Sequence, residues 1–312
     1  MSDESIFQRL RRGELIPLSH RTREAVAGYL CVAPAVLGFL AFSLGPMLYS
    51  LFLSFHEADM LTEPRFVRLA NYSQLFHEEL WRKSMANTAY FTFPSVFLSI
   101  SLGLLIAILL NQKVKFLGLF RVVYYLPSVV SGVAVSLLWI WLLHTDYGLV
   151  NGFLRVFGIR GPSWLHSEEW AMPALIMMSL WGMGGNMIVF LAGLQGIPES
   201  LYDAAKIDGA GTLQCFWHAT VPMMTPTIFF NLVLGIIGSF QVFTPAYLMT
   251  EGGPNNATLT QVFYIYNQAF RGFHFGYASA LSWVLFVVIL VFVLMVFRSS
   301  QAWVYYESEL KR

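Results

Sequence analysis

The sequence has 312 residues, of which 56% are hydrophobic and only 12% charged, with a formal net charge of +1. Soluble domains average roughly a quarter charged residues, so this composition excludes a chain folded wholly in water, and the near-zero net charge offers no field for nucleic acid. The charge is also segregated: six runs hold no Asp, Glu, Lys or Arg, and about 20 apolar residues suffice to cross a bilayer core.

In chain order, residues 1–24 are polar and basic-rich, with Arg9, Arg11, Arg12, Arg21 and Arg23, and read as a cytoplasmic amino-terminal arm. The first run, Ala25 to Phe55, is about twice the length of a secretory signal core of about 7–15 apolar residues. It is expected to be retained as a membrane helix. The others are Ser84 to Gln112, Val122 to Leu143, Ala171 to Pro198, Ala219 to Thr250 and Phe275 to Phe297. The fold expected is all-α, a polytopic membrane protein with six transmembrane helices in one domain, 25–298, followed by a cytoplasmic tail, 299–312. The connections at roughly 56–83, 144–170 and 251–274 are too short for a further domain, and their Trp81, Trp164 and Trp170 suit the membrane interface.

Lys and Arg collect on the cytoplasmic side of membrane proteins. With both termini inside, 12 of the 19 basic residues fall inside and 7 outside. The cluster Lys113, Lys115 and Arg121 agrees with this orientation, whereas Arg65, Arg68, Arg82 and Lys83 oppose it. Cys31 and Cys215 lie on different elements, so no disulfide or Cys-based metal site is expected, and the seven histidines are scattered. Prolines inside the runs, Pro34, Pro46, Pro94, Pro127, Pro226 and Pro245, read as kinks or helix starts, because neighbouring helices can satisfy the freed backbone groups. Glycines such as Gly182, Gly184, Gly185, Gly235 and Gly238 suit close helix packing.

The runs carry no ionisable group away from their ends, which argues against a proton pump or an ion-coupled carrier, since relaying charge through lipid needs such groups. Carbonyl-and-hydroxyl sodium sites stay open. A phosphate-cradling loop ends in Gly-Lys followed by Ser or Thr, yet none of the five lysines follows a glycine. No G-x-S-x-G or H-E-x-x-H pattern occurs either. The chain therefore reads as no enzyme, and active transport would draw its energy from another polypeptide.

Between the fourth and fifth runs, residues 197–222 break the apolar pattern. Pro198 can start a short helix with Glu199 in its first turn, where a carboxylate meets the positive end of the helix dipole. Asp203 and Lys206 share a face, Asp208 and Gly209 end the helix, and a second helix is expected from Thr212 toward Pro222. Physical chemistry alone leaves two readings open, a loop lying on headgroups or a small-residue surface docking into a partner's groove.

Asp203-Ala204-Ala205, Asp208-Gly209-Ala210, Phe216 and Pro222 stand at the spacing of the EAA motif, and the segment resembles that of binding-protein-dependent ABC permeases. The resemblance implies a coupling helix seated in a cleft of an ATPase subunit. On that resemblance Glu199, Asp203, Ala204, Ala205, Asp208, Gly209, Ala210, Phe216 and Pro222 form the ATPase-coupling set, Asp203 standing where the family usually has Glu. Met249-Thr250-Glu251-Gly252-Gly253-Pro254, Trp181 through Pro198, and Gly276-Tyr277-Ala278-Ser279-Ala280 are similar to the carbohydrate-uptake branch. The implied function is a permease subunit passing a sugar or oligosaccharide through the bacterial inner membrane. Implied partners are a second homologous permease, two ATPase subunits that bind ATP and Mg, a substrate-binding protein and membrane lipid, with no cofactor in this chain. Gly252, Gly253 and Pro254 are candidates for binding-protein docking, and Asn186, Asn231, Phe240, Gln241 and Tyr247 for the substrate pathway. Rival readings are a related permease for glycerol phosphate or another polar solute, a self-sufficient secondary carrier, and a membrane enzyme.

Overall fold

A computed structural model describes residues 20–59, 61–112 and 115–305. Most of the expected arm, Lys113 of the basic cluster and the end of the expected tail lie outside the described residues. The chain divides into two compact units, Met1–Leu53 and Ser54–Arg312. The described part of the first lies in α1 (His20–Ser54), 35 residues long, whose last residue falls in the second. It begins before the apolar run, its first turn carrying a His20–Glu24 contact of 3.4 Å at i,i+4. A widened turn at Leu40–Leu44 closes with Gly45 N–H donating to Leu40 O, next to Pro46, whose missing N–H and ring disfavour a regular helical turn.

The second unit opens with a short antiparallel pair, β1 (His56–Glu57) and β2 (Arg65–Phe66), in which His56 faces Phe66. In the turn between them Asp59 accepts from Leu61 N–H at 2.9 Å and from Thr62 N–H at 2.6 Å and hydroxyl at 2.8 Å. These bonds, led by the Thr62 amide, hold its carboxyl below the usual carboxylate range. Then follow α2 (Ala70–His77) and the membrane-length α3 (Glu79–Leu110). The third run is not a single rod: α4 (Leu117–Val129) and α5 (Gly132–Leu142) meet at 100°. After the short α6 (Leu149–Val156) come α7 (Glu168–Gln195), α8 (Glu199–Ile207) and α9 (Thr212–Phe240). The chain closes with α10 (Gln261–Tyr266) and α11 (Phe275–Trp303). Among the described residues five helices are long and apolar enough to span a membrane, or six counting the bent pair as one span. The charge-free runs therefore mark the spans, and the protein is an all-α polytopic membrane protein.

Two differences from the sequence reading have clear causes. The second helix expected from Thr212 does not stop near Pro222 but continues into the span. A π turn at Phe216–Thr220, in which Val221 N–H donates to Phe216 O, opens the backbone just before Pro222 and relieves the clash a proline makes with the preceding turn. Likewise α11 runs to Trp303, five residues into the expected tail, because Trp303 packs on Phe229 at 6.2 Å and Tyr305 N–H donates to Thr225 Oγ1 at 2.9 Å.

α3 is central and packs against α7 and α9, while α9 packs on α11. One end of this bundle is sealed by Leu75, Phe91, Leu143, Leu175, Phe263 and Leu281. The other is sealed by Ala107, Met187, Phe190, Leu194 and Met224. Where α7 crosses α4, a Cβ on Gly184 would lie 2.1 Å from Tyr124 O, so glycine is required for the two backbones to meet.

Candidate functional site

The segment 197–222 sits at the end of the bundle where α3 finishes and α9 starts. Pro198 precedes α8 with an extended backbone, and Glu199 occupies the first turn. Gly209 has φ +81°. Its N–H donates to Lys206 O at 3.0 Å and Ala210 N–H donates to Ala205 O at 2.9 Å. This pair of bonds around a left-handed glycine is a Schellman stop, which satisfies carbonyls the helix end would otherwise leave open. The next helix starts two residues on, with Gln214 Oε1 accepting from Gly211 N–H at 2.8 Å.

The result is a tight helix–turn–helix held to the bundle by Tyr202, whose hydroxyl lies 3.1 Å from Thr220 Oγ1. A cavity of about 700 Å³ opens beside it, lined by Ala204, Ala205, Asp208, Gly209, Ala210 and Pro222 from the expected set. Leu201, Gln214, Cys215, His218 and Tyr305 are also part of the wall. Phe216 lines a second cavity of about 340 Å³ on the α3 side, with Ile108, Asn111 and Tyr202. Glu199 and Asp203 lie outside both linings, and Asp203 instead meets Lys206 at 3.1 Å on the exposed face. Exposed Ile207, Leu213 and Trp217 add apolar surface at this end. Sequence reasoning missed Tyr305, since nothing in its local sequence shows that α11 returns it to α9.

The five pathway candidates separate. Asn186 Nδ2 donates to Ser99 Oγ at 2.9 Å and borders a cavity of about 100 Å³ with Phe91, Ser95, Ser99, Ser179, Gly235 and Ser239. Asn231 is buried and donates to Thr227 O of its own helix at 2.8 Å. Phe240, 1% exposed, is packed against Phe93 and Phe292. Gln241 donates to Ile237 O at 3.1 Å and is exposed. Tyr247 stacks on Phe243 at 5.2 Å under the Arg271 guanidinium, 5.8 Å away. Only Asn186 thus reaches a polar cavity within the spans, and the serines around it went unrecognised because hydroxyls in apolar helices commonly bond their own backbone, as Ser95 does to Phe91 O.

At the opposite end Gly252, Gly253 and Pro254 begin a loop fixed by Thr258 N–H donating to Gly252 O and Thr258 Oγ1 donating to Gly253 O. Its tip is tied down by Lys83 Nζ on Asn255 O, Asn255 Nδ2 on Glu168, and Asn87 Nδ2 on Asn256 O. This end is a hydrogen-bonded platform built from α3, α7 and the loop.

Residues 99–304 match the family described as the binding-protein-dependent transport system inner membrane component. A probable ABC transporter permease protein, YesP, of Bacillus subtilis is 40% identical over 293 residues, covering 92% of this chain and 94% of that protein. The lactose transport system permease protein LacF of Rhizobium radiobacter is 37% identical, covering 88% and 94%. Among solved structures, a bacterial alginate ABC transporter in complex with alginate pentasaccharide-bound periplasmic protein aligns with a TM-score of 0.81 at 25% identity, over 91% of this chain and 97% of that one. With these relatives and six apolar segments arranged as described, the chain belongs to the inner membrane components of binding-protein-dependent ABC transporters, as a transport subunit and not an enzyme.

Proposed function

We propose that this subunit forms part of the path by which a sugar or oligosaccharide, delivered by a binding protein, crosses the membrane, and that α8 with its turn couples the path to an ATPase. The observation that carries the coupling is the Schellman-stopped α8, which presents Ala204, Ala205, Gly209 and Ala210 beside an open cavity of about 700 Å³. Small side chains there admit close approach of another protein, and exposed Ile207 and Leu213 gain from being covered. The α8 end then faces the cytoplasm with both termini, and the Gly252–Pro254 platform faces the binding protein. The arm, taken as 1–24, and the tail, taken as 299–312, then lie on the cytoplasmic side, with the helices α1 and α11 entering each by five residues.

The sugar class is supported by the name of the lactose relative and by the alginate transporter. The cavity at Asn186, about 100 Å³ and so smaller than a monosaccharide, marks where Ser95, Ser99, Ser179, Ser239 and the amide would offer neutral groups to hydroxyls once the path opens. No Lys or Arg lines that cavity, as a phosphorylated cargo would call for. The reaction cycle belongs to the assembly: ATP and Mg held by two ATPase subunits draw the coupling helices of this chain and a homologous permease together, and the bundle changes which end is open. The test is to copurify the chain with its ATPase, second permease and binding protein, and to measure sugar-stimulated ATP hydrolysis and uptake in vesicles. Uptake by this chain alone, or a complex lacking an ATPase, would overturn it.

A further inference from the structure

We infer that α6 is an interfacial anchor, lying in the lipid headgroup region of the leaflet opposite the α8 end. Its sequence is apolar on two sides. Val150 packs into the core and Asn151 is buried, whereas Leu149, Phe153, Val156 and Phe157, at i, i+4, i+7 and i+8, are exposed by 56%, 65%, 80% and 64%. Residues i, i+4, i+7 and i+8 share one helix face, and Phe153 and Phe157 extend it with rings 5.1 Å apart.

The face cannot be turned inward, because the helix is pinned on its other side. Asn151 Nδ2 donates to Thr145 O at 2.9 Å and to Pro162 O at 3.2 Å, and Trp164 Nε1 donates to Asn151 Oδ1 at 2.7 Å. Arg155 Nη2 also donates to Thr145 O, at 3.2 Å.

Three observations select lipid as the occupant. The segment joins the end of α5 to the start of α7, both parts of candidate membrane spans, which puts it close to the bilayer surface. Trp170, exposed and held by Trp164 with ring centroids 5.2 Å apart, is of a residue type that settles at headgroup level. Arg160, exposed just beyond the end of the apolar face, takes part in no ion pair among the described residues, which leaves its guanidinium group for lipid phosphates. An apolar face bordered by basic residues is the pattern of helices that lie in the membrane plane. In this position α6 fixes the height of the α3–α7 platform relative to the bilayer surface.

The experiment places a nitroxide on a ketone-bearing phenylalanine analogue at position 153, 157 or 146 of the full transporter complex in phospholipid nanodiscs. Collision with oxygen, which concentrates in lipid, is compared with collision with a water-soluble nickel chelate. At 153 and 157 oxygen collisions are expected to exceed nickel collisions several-fold, with the reverse at position 146. Nickel dominating at 153 and 157 would overturn the inference, since the face would then lie in water. Both reagents being excluded would also overturn it, by showing the face covered by the second permease, as would loss of the oxygen signal only after the binding protein is added.

Discussion

The Gly209 turn offers the sharpest test of coupling. Its φ of +81° is a left-handed conformation that costs a residue with a Cβ about 1–2 kcal/mol, asparagine being more tolerant. A Cβ there meets no atom within 4 Å, so substitution adds backbone strain without a clash. A penalty of one or two kcal/mol corresponds to about a 5- to 30-fold change in the equilibrium constant for forming the turn. In a reconstituted complex, ATP hydrolysis stimulated by loaded binding protein should therefore fall for Gly209→Ala by at most about 5- to 30-fold, further for Gly209→Val, and least for Gly209→Asn. The order matters more than the size, because side-chain bulk alone would rank Asn below Ala. Wild-type stimulation in Gly209→Ala, or Asn falling below Ala, would refute the claim that a left-handed turn at this position transmits the signal.

Ala205→Trp should insert normally yet lose the ATPase on copurification, as the larger side chain holds the two proteins apart. Lys206→Ala removes an exposed pair with Asp203 and should change the melting temperature negligibly, since such pairs contribute about 0–1 kcal/mol. Asn186→Leu should raise the KM for uptake while changing stability by only about 0.6 kcal/mol, the typical worth of a hydrogen bond between membrane helices. Gly184→Leu should lower thermal stability by about 1–3 kcal/mol, the cost of overpacking, because its side chain would meet Tyr124 O.

The spans were legible because lipid imposes a simple rule on the chain: charge is expelled from about 20 residues at a time, and that rule leaves a mark visible at Ser84–Gln112 as clearly as at Phe275–Phe297. The turn at Asp208–Gly209 was legible for a local reason, since left-handed backbone favours glycine. Helix rotation was not. α3 and α7 are apolar on nearly every side, so their sequences do not record which side meets protein, and Asn231 and Asn186 looked equivalent until packing turned one toward its own helix and the other toward Ser99. Pro127 was read as a kink or helix start, but the 100° size of the bend between α4 and α5 was hidden, as Val130 and Ser131 are apolar or small enough to continue a helix.

That bend has a consequence for what surrounds the protein. At about 1.5 Å per residue, neither the 13-residue α4 nor the 11-residue α5 covers a hydrocarbon layer of about 30 Å, and around Val130, Ser131 and Gly132 the ladder of backbone hydrogen bonds is interrupted. These residues are exposed on the single chain, yet acyl chains cannot satisfy open peptide groups. The elbow is therefore a seam that oil does not wet, and whatever closes it in the membrane must bring its own polar atoms.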